Sequence, residues 1–203
     1  MTSQPKRKLL ILTHHRLELW IAPPWFAERL RREFPEIEIS QLNSYENVEQ
    51  HIADVEILFG ISIRPEQFLA ARKLRWIHSQ AAAVHQLMFP ELVNSDVIIT
   101  NAREVHGPVV AEQVMAMIFA LAKQIPAGVR FQEKHEWGQD AISQMTAPRE
   151  IAGATVGLIG VGSIGRNVAK HAAALGMRVV AVREHPEKGK PEHVDEVWPS
   201  SQL

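Results

Sequence analysis

The stretch that most restricts what this chain can become is ATVGLIGVGSIGRNVAKHAAALGMRVVAVR, residues 154–183. A short apolar run rich in strand formers ends at Gly160, a helical pattern runs through IGRNVAKHAAALG, and a second β-branched run, MRVVAV, follows. Strand, turn, helix and strand at this spacing build two parallel strands joined by a crossover helix. Gly176 is placed to cap that helix at its C-terminal end. Gly160, Gly162 and Gly165 fit G-x-G-x-x-G. The first glycine permits the tight turn, the second removes a Cβ where a pyrophosphate must approach, and the third lets helix and strand pack closely. The amino end of the helix adds unpaired N–H groups and a positive dipole. Gly160, Val161, Gly162, Ser163, Ile164 and Gly165 are therefore the candidate phosphate cradle of a Rossmann-type dinucleotide site.

The residue that ends the second strand of such a unit selects the cofactor. An acidic side chain there accepts hydrogen bonds from the ribose of NAD, whereas an arginine suits the added 2′-phosphate of NADP. The position is held by Arg183, whose guanidinium can clamp a phosphate with paired donors. The pattern favours NADP over NAD, with Glu184 next door as the competing acidic group.

Ahead of this motif the chain alternates strand-like and helix-like segments. KLLILT, EIEIS, EILFG, LRWIHS and DVIITN read as strands, and WFAERLRREF, NVEQHIADV and the run opened by Pro65 read as helices. That alternation predicts a mainly parallel α/β sheet covered on both faces. After HGP the pattern changes to VVAEQVMAMIFALAKQ, a helix so apolar that burial on most sides is expected, and then to a polar excursion from Ile125 to Glu150. The domain boundary falls near Arg103, dividing the chain into residues 1–103 and 104–203.

Charge and composition exclude several partners. Lys and Arg total 22 against 23 Asp and Glu, so no basic excess recommends nucleic acid or an anionic membrane. The absence of cysteine excludes disulfides, thiolate nucleophiles and thiolate zinc sites. The opening MTSQPKRKLLILTHH lacks the long apolar core and cleavage site of a secretory signal, and no window approaches the roughly 18 apolar residues of a membrane span. A cytoplasmic location is the expectation. Among the ten histidines, His14, His15, His78, His85 and His106 invite an acid/base role, but their spacing suggests no metal cage; His106, before the apolar helix, is the best placed. The five tryptophans are expected to be packing residues.

Taken with LRWIHSQAAAVHQLMFPELV, TNAREVHGPVVAEQV and the glycine loop, the chain resembles the D-isomer-specific 2-hydroxyacid dehydrogenases, the group of glyoxylate and hydroxypyruvate reductases and phosphoglycerate dehydrogenase. The closing VREHPEKGKPEHVDEVWPSSQL is similar to the arginine-bearing, NADP-leaning members. The resemblance implies a flavodoxin-like substrate domain followed by the first part of a Rossmann domain, a nicotinamide cofactor, a small 2-keto or 2-hydroxy acid substrate and a homodimer. It implies that backbone N–H groups of Ala82, Ala83 and Val84 hold the substrate carboxylate. Here the chain departs from the family pattern, with Ala83 for the usual glycine and His85 for the usual acidic or amide residue. The family's catalytic arginine, glutamate and histidine lie beyond the second nucleotide strand, and only 43 residues follow Gly160. The chain is therefore expected to be cut short, to contain none of the three, and to be inactive alone. Three functions compete: the front portion of an NAD(P)H-dependent 2-keto acid reductase; a shortened, non-catalytic homologue that binds nucleotide or protein; and, disfavoured by the short N-terminal region, a formate dehydrogenase of the same fold group.

Overall fold

Strand-forming runs rich in Leu and Ile, each followed by a helix, close the first half of the chain into one parallel sheet. In the computed structural model, residues 6–145 and 147–203 are described. The first residues of the segment weighed above as a leader, and Thr146 in the expected excursion, lie outside the described residues. The chain divides into two compact units, Met1–Arg103 and Glu104–Leu203.

The first unit contains β1 (Arg7–Leu12), α1 (Pro24–Glu33), β2 (Ile37–Leu42), α2 (Val48–Ile52), β3 (Ile57–Gly60), α3 (Pro65–Ala70), β4 (Trp76–Ser79), α4 (Pro90–Val93) and β5 (Ile98–Asn101). Its five strands are parallel in the order β2-β1-β3-β4-β5. This is the flavodoxin-like order, and its direction reverses between β1 and β3, where loops at the strands' carboxyl ends can hold a ligand. One sheet face buries Leu10, Leu12, Leu58 and Ile77 against Val48, Ile52, Leu87 and Leu92, each such side chain contributing about 1.5–3 kcal/mol on burial. The other face packs Ile11, Ile39 and Phe59 against Ala27, Phe26 and Leu30 of α1.

The expected cover on both faces is incomplete. On the α1 side, Trp76 of β4 and Ile98 of β5 are 40% and 63% exposed, because the ten residues of α1 reach only the β1, β2 and β3 side of the sheet.

The second unit contains α5 (Gly107–Ala122), α6 (Ile125–Glu133), α7 (Gln139–Met145), β6 (Thr155–Ile159), α8 (Ser163–Ala174), β7 (Arg178–Arg183) and β8 (Glu196–Pro199). Its strands are parallel in the order β6-β7-β8, with α8 crossing from β6 to β7. These are the opening strands of a Rossmann sheet. Ala111 and Met115 of α5 pack with Val168, Ala169 and Ala172 of α8 and with Val179 and Ala181 of β7. Arg178 and Glu196 pair across β7 and β8. Gly176, with φ of 75°, follows α8 and donates its N–H to Ala173 O.

Three expectations are corrected here. The apolar α5 buries only Gly107, Ala111 and Met115, while Val109, Met117 and Leu121 are exposed. Apolar residues on every side mark a helix that can be covered, and do not say by what. The excursion after it is largely helical, since Gln124 at φ 57° turns the chain and α6 leaves α5 at 67°. Pro126 sits in its first turn, a position suited to helix initiation. The tryptophans are not chiefly packing residues: Trp25, Trp76 and Trp198 are about half exposed and Trp137 is 90% exposed. No single helix among the described residues is long and apolar enough to cross a membrane.

Candidate functional site

The glycine loop sits between the end of β6 and the start of α8. Gly160 has φ of 90°, which a side chain rarely adopts, and its N–H donates to Val182 O at 2.8 Å. That bond ties the turn to the end of β7, one residue before Arg183. A Cβ on Gly165 would collide with Gly160 O, so the helix can approach the turn this closely only without a side chain there. Around Gly162, by contrast, a Cβ would meet nothing within 4 Å. The space above it is open, as an approaching pyrophosphate requires.

The helix start is free to bind. Gly162 caps α8 with no side-chain bond, and the first backbone bond of the helix is Arg166 N–H to Gly162 O at 3.0 Å. The N–H groups of Ser163, Ile164 and Gly165 precede it and have no helical acceptor. Ser163 is buried, Ile164 and Gly162 are exposed, and Val161 is half-buried. Arg166 in the first turn pairs with Glu104 at 3.3 Å; both are more than half exposed, so the pair adds little stability. The residues present fit a dinucleotide.

Arg183 closes β7, half-buried, with its Nη1 donating to Gly189 O at 3.3 Å. Glu184, the competing acidic group, is exposed and makes no side-chain bond among the described residues. The guanidinium is therefore the charged group held in place at this strand end.

In the first unit, Ala82, Ala83 and Val84 follow β4 at the carboxyl edge of the sheet. Asn101 Nδ2 donates to Ala82 O at 2.6 Å, Ala102 N–H donates to Ala81 O at 3.3 Å, and Ala81 N–H donates to Ser79 Oγ at 3.2 Å. The backbone N–H groups of residues 82–84 find no acceptor among the described residues. Ala82 and Ala83 are exposed, and Ala83 is not in the left-handed region, so alanine replaces the family glycine without strain. Sequence reasoning missed Asn101 and Ser79 as the loop's supports. Asn101 reads in sequence only as the turn residue ending a strand; nothing local shows its amide reaching back across the sheet edge.

The histidines scatter. His14 stacks edge-on to Tyr45 with centroids 6.1 Å apart, His15 Nδ1 accepts from Leu17 N–H at 3.1 Å, and His78 Nδ1 lies 2.8 Å from Thr100 Oγ1, which also accepts from Trp76 Nε1. His85, itself exposed, begins a 3-10 turn that ends on the buried Leu87. His106 precedes α5 without a side-chain capping bond, and its Nε2 is buried with no hydrogen-bond partner among the described residues. None of these five has an orienting carboxylate among the described residues, as an acid/base pair needs.

A glycine-cradled helix start and a strand-ending arginine, on a parallel sheet of Rossmann order, form the architecture of a dinucleotide-binding α/β fold. Residues 115–202 match the family model described as D-isomer specific 2-hydroxyacid dehydrogenase, NAD binding domain. The chain is 27% identical over 157 residues to the D-3-phosphoglycerate dehydrogenase of Methanocaldococcus jannaschii, covering 76% of this chain and 29% of that protein. It is 26% identical over 171 residues to the glyoxylate reductase of Pyrococcus horikoshii, covering 74% and 51%. The crystal structure of a D-isomer specific 2-hydroxyacid dehydrogenase family protein from Aeromonas salmonicida superposes with a TM-score of 0.79 at 25% identity, covering 98% of this chain and 59% of that one. Residues 115–202 thus match the NAD binding domain of the D-isomer specific 2-hydroxyacid dehydrogenases, and the chain as a whole is similar in sequence and fold to proteins of that family. It spans about half the length of the glyoxylate reductase, and less of the phosphoglycerate dehydrogenase.

Proposed function

We propose that this chain carries the cofactor-binding and carboxylate-binding parts of an oxidoreductase that interconverts a 2-keto acid and a D-2-hydroxy acid, with NADP(H) preferred over NAD(H). The observation that supports it most is the Gly160 N–H to Val182 O bond, which draws the phosphate cradle of α8 and the guanidinium of Arg183 to one edge of the β6–β7 sheet. In this reading the N–H groups of Ser163, Ile164 and Gly165 bind the pyrophosphate, Gly160, Val161 and Gly162 shape its approach, and Arg183 takes the 2′-phosphate. When bound, the nicotinamide supplies or accepts a hydride at C2 of the acid.

Residues 1–103 serve as the substrate domain. The free N–H groups of Ala82, Ala83 and Val84 hold the carboxylate as fixed donors that need no charged side chain. No catalytic acid/base is assigned among the described residues, so this reading gives the chain binding roles and leaves turnover to a polypeptide that supplies those groups. A small keto acid of the kind the glyoxylate reductase relative is named for is the substrate class this suits. The exposed Val109, Met117, Leu121, Ile125 and Val129 of α5 and α6, with Trp137, supply an apolar surface for a homodimer. The compartment this reading places it in is the cytoplasm.

The test is calorimetric titration of the chain with NADPH and NADH, followed by glyoxylate-dependent NADPH oxidation by the complete polypeptide. NADPH binding at least about tenfold tighter, a difference of about 1.4 kcal/mol, with glyoxylate turnover by the complete polypeptide, supports the reading. Equal affinities overturn the cofactor preference. NADPH binding without turnover of any 2-keto acid by the complete polypeptide favours the competing nucleotide-binding module.

A further inference from the structure

Arg183 lies at the start of a turn whose geometry bears on cofactor choice. The 3-10 segment Pro186–Lys188 is closed by Lys188 N–H to His185 O at 3.3 Å and Gly189 N–H to Pro186 O at 3.1 Å. It ends on Gly189 at φ 84° and ψ 178°, a region open essentially only to glycine. No neighbour forbids a side chain at that position, because a Cβ there meets nothing within 4 Å. The requirement for glycine is therefore conformational, not steric. What that conformation does is present the Gly189 carbonyl to Arg183 Nη1 at 3.3 Å. Within the same turn, Glu187 is engaged by His185 Nδ1 at 3.1 Å.

We propose that Gly189 is a positioning residue for nicotinamide cofactor choice: its carbonyl holds the Arg183 guanidinium at the end of β7, leaving the remaining donors to face the 2′-phosphate of NADP. This rests on the cofactor reading above. An arginine on a flexible stem loses rotamer freedom when it clamps a phosphate, and a carbonyl that already fixes one of its nitrogens removes part of that loss. NAD has no phosphate at this position, so its binding does not draw on the tether. The contribution of Gly189 is thus selective for one cofactor and acts only through Arg183.

The experiment is calorimetric titration of the 203-residue chain with NADPH and with NADH, for the wild type, Gly189→Ala, Arg183→Gln and the double variant. An L-alanine at 189 must leave the left-handed region and swing its carbonyl away. The expected result is about fivefold weaker NADPH binding for G189A, the size of one modest hydrogen bond, with NADH binding unchanged and no added effect in the R183Q background. A D-alanine introduced at 189 by semisynthesis is at ease at positive φ and keeps the NADPH affinity of the wild type; it separates conformation from any loss of folding. Equal losses for both cofactors, persistence of the G189A effect without Arg183, or failure of D-alanine to preserve affinity overturns the proposal. If R183Q removes the NADPH preference while G189A leaves it intact, only the role of Gly189 falls. If the wild type shows no preference and R183Q changes nothing, the cofactor reading falls and this inference with it.

Discussion

Two loops at the carboxyl ends of parallel strands are offered as binding sites, and they are built in opposite ways. After β6, the loop Gly160–Gly165 is shaped by its own residues: one positive φ, one open face and one close approach of helix to turn. After β4, the loop Ala81–Val84 has no glycine and no residue in the left-handed region, and is held from outside by Asn101 and Ser79. The first is local geometry written into consecutive residues. The second is a product of strand register, since β4 pairs with β5 so that Ser79 lies opposite Asn101. A loop of the first kind tolerates change around it but not within it, and a loop of the second kind does the reverse.

That contrast can be broken at its strongest point by Gly165→Val. A side chain there meets the Gly160 carbonyl, a backbone atom that cannot yield cheaply, and the expected loss is about 3 kcal/mol. Hydrogen exchange should show α8 and β7 opening far more readily while β1 to β5 keep their protection. Uniform loss of protection in both units would contradict a defect confined to the second. Next in size, Asn101→Ala removes the bond to Ala82 O, a loss of about 1 kcal/mol. In the complete polypeptide it should raise KM for the keto acid about fivefold and leave NADPH affinity untouched. A change in cofactor affinity instead would argue against a carboxylate role for the loop.

Ala83→Gly sharpens the same comparison from within. Because Ala83 needs no positive φ, glycine gains nothing in the fold and adds unfolded-state freedom, so the melting temperature should fall slightly, by about 0.5–1 kcal/mol in stability. A rise on substitution would show that the loop prefers the family glycine.

The smallest effect concerns the surface pair of Lys8 and Asp54, 2.6 Å apart. The hydrogen bond from Lys8 holds the Asp54 carboxyl below its ordinary 3.8 and, reciprocally, raises Lys8 above 10.5. A depressed carboxyl contributes stability above its unfolded value and loses it as pH falls through the folded one; the raised ammonium contributes below 10.5 and loses it as pH climbs through its own folded value. Asp54→Asn should therefore shift the unfolding midpoint only near the limit of detection at neutral pH, and not at all once the wild-type carboxyl is protonated. A large neutral-pH shift would mean that the exposed pair does more than exposed pairs ordinarily do.

Much of this architecture is readable from residue pattern. KLLILT, EIEIS, EILFG, LRWIHS and DVIITN each overlap an observed strand, because alternating or continuous apolar runs bounded by turn residues leave few other ways to bury side chains. Two misreadings share one cause. The apolar α5 and the tryptophans were expected inside because they are apolar, yet Met117, Leu121 and Trp137 face solvent. Hydropathy measures the gain available from burial, not whether a surface exists to bury against. The stretch after Lys123 fails differently: its polar and aromatic residues hide the helices α6 and α7, where Pro126 and the left-handed Gln124 start a new axis.

By itself, the sequence determined the βα turn at Gly160–Gly165, the crossover helix and the arginine at the end of β7, because steric exclusion of a Cβ and hydrophobic period act over neighbouring residues. Tertiary structure alone decided that Asn101 supports Ala82, that Gly160 is tied to Val182, and that Gly189 reaches Arg183. Those contacts join residues on different strands or on opposite sides of a turn. Their partners are chosen by register and backbone direction, quantities that exist only once the sheet has formed.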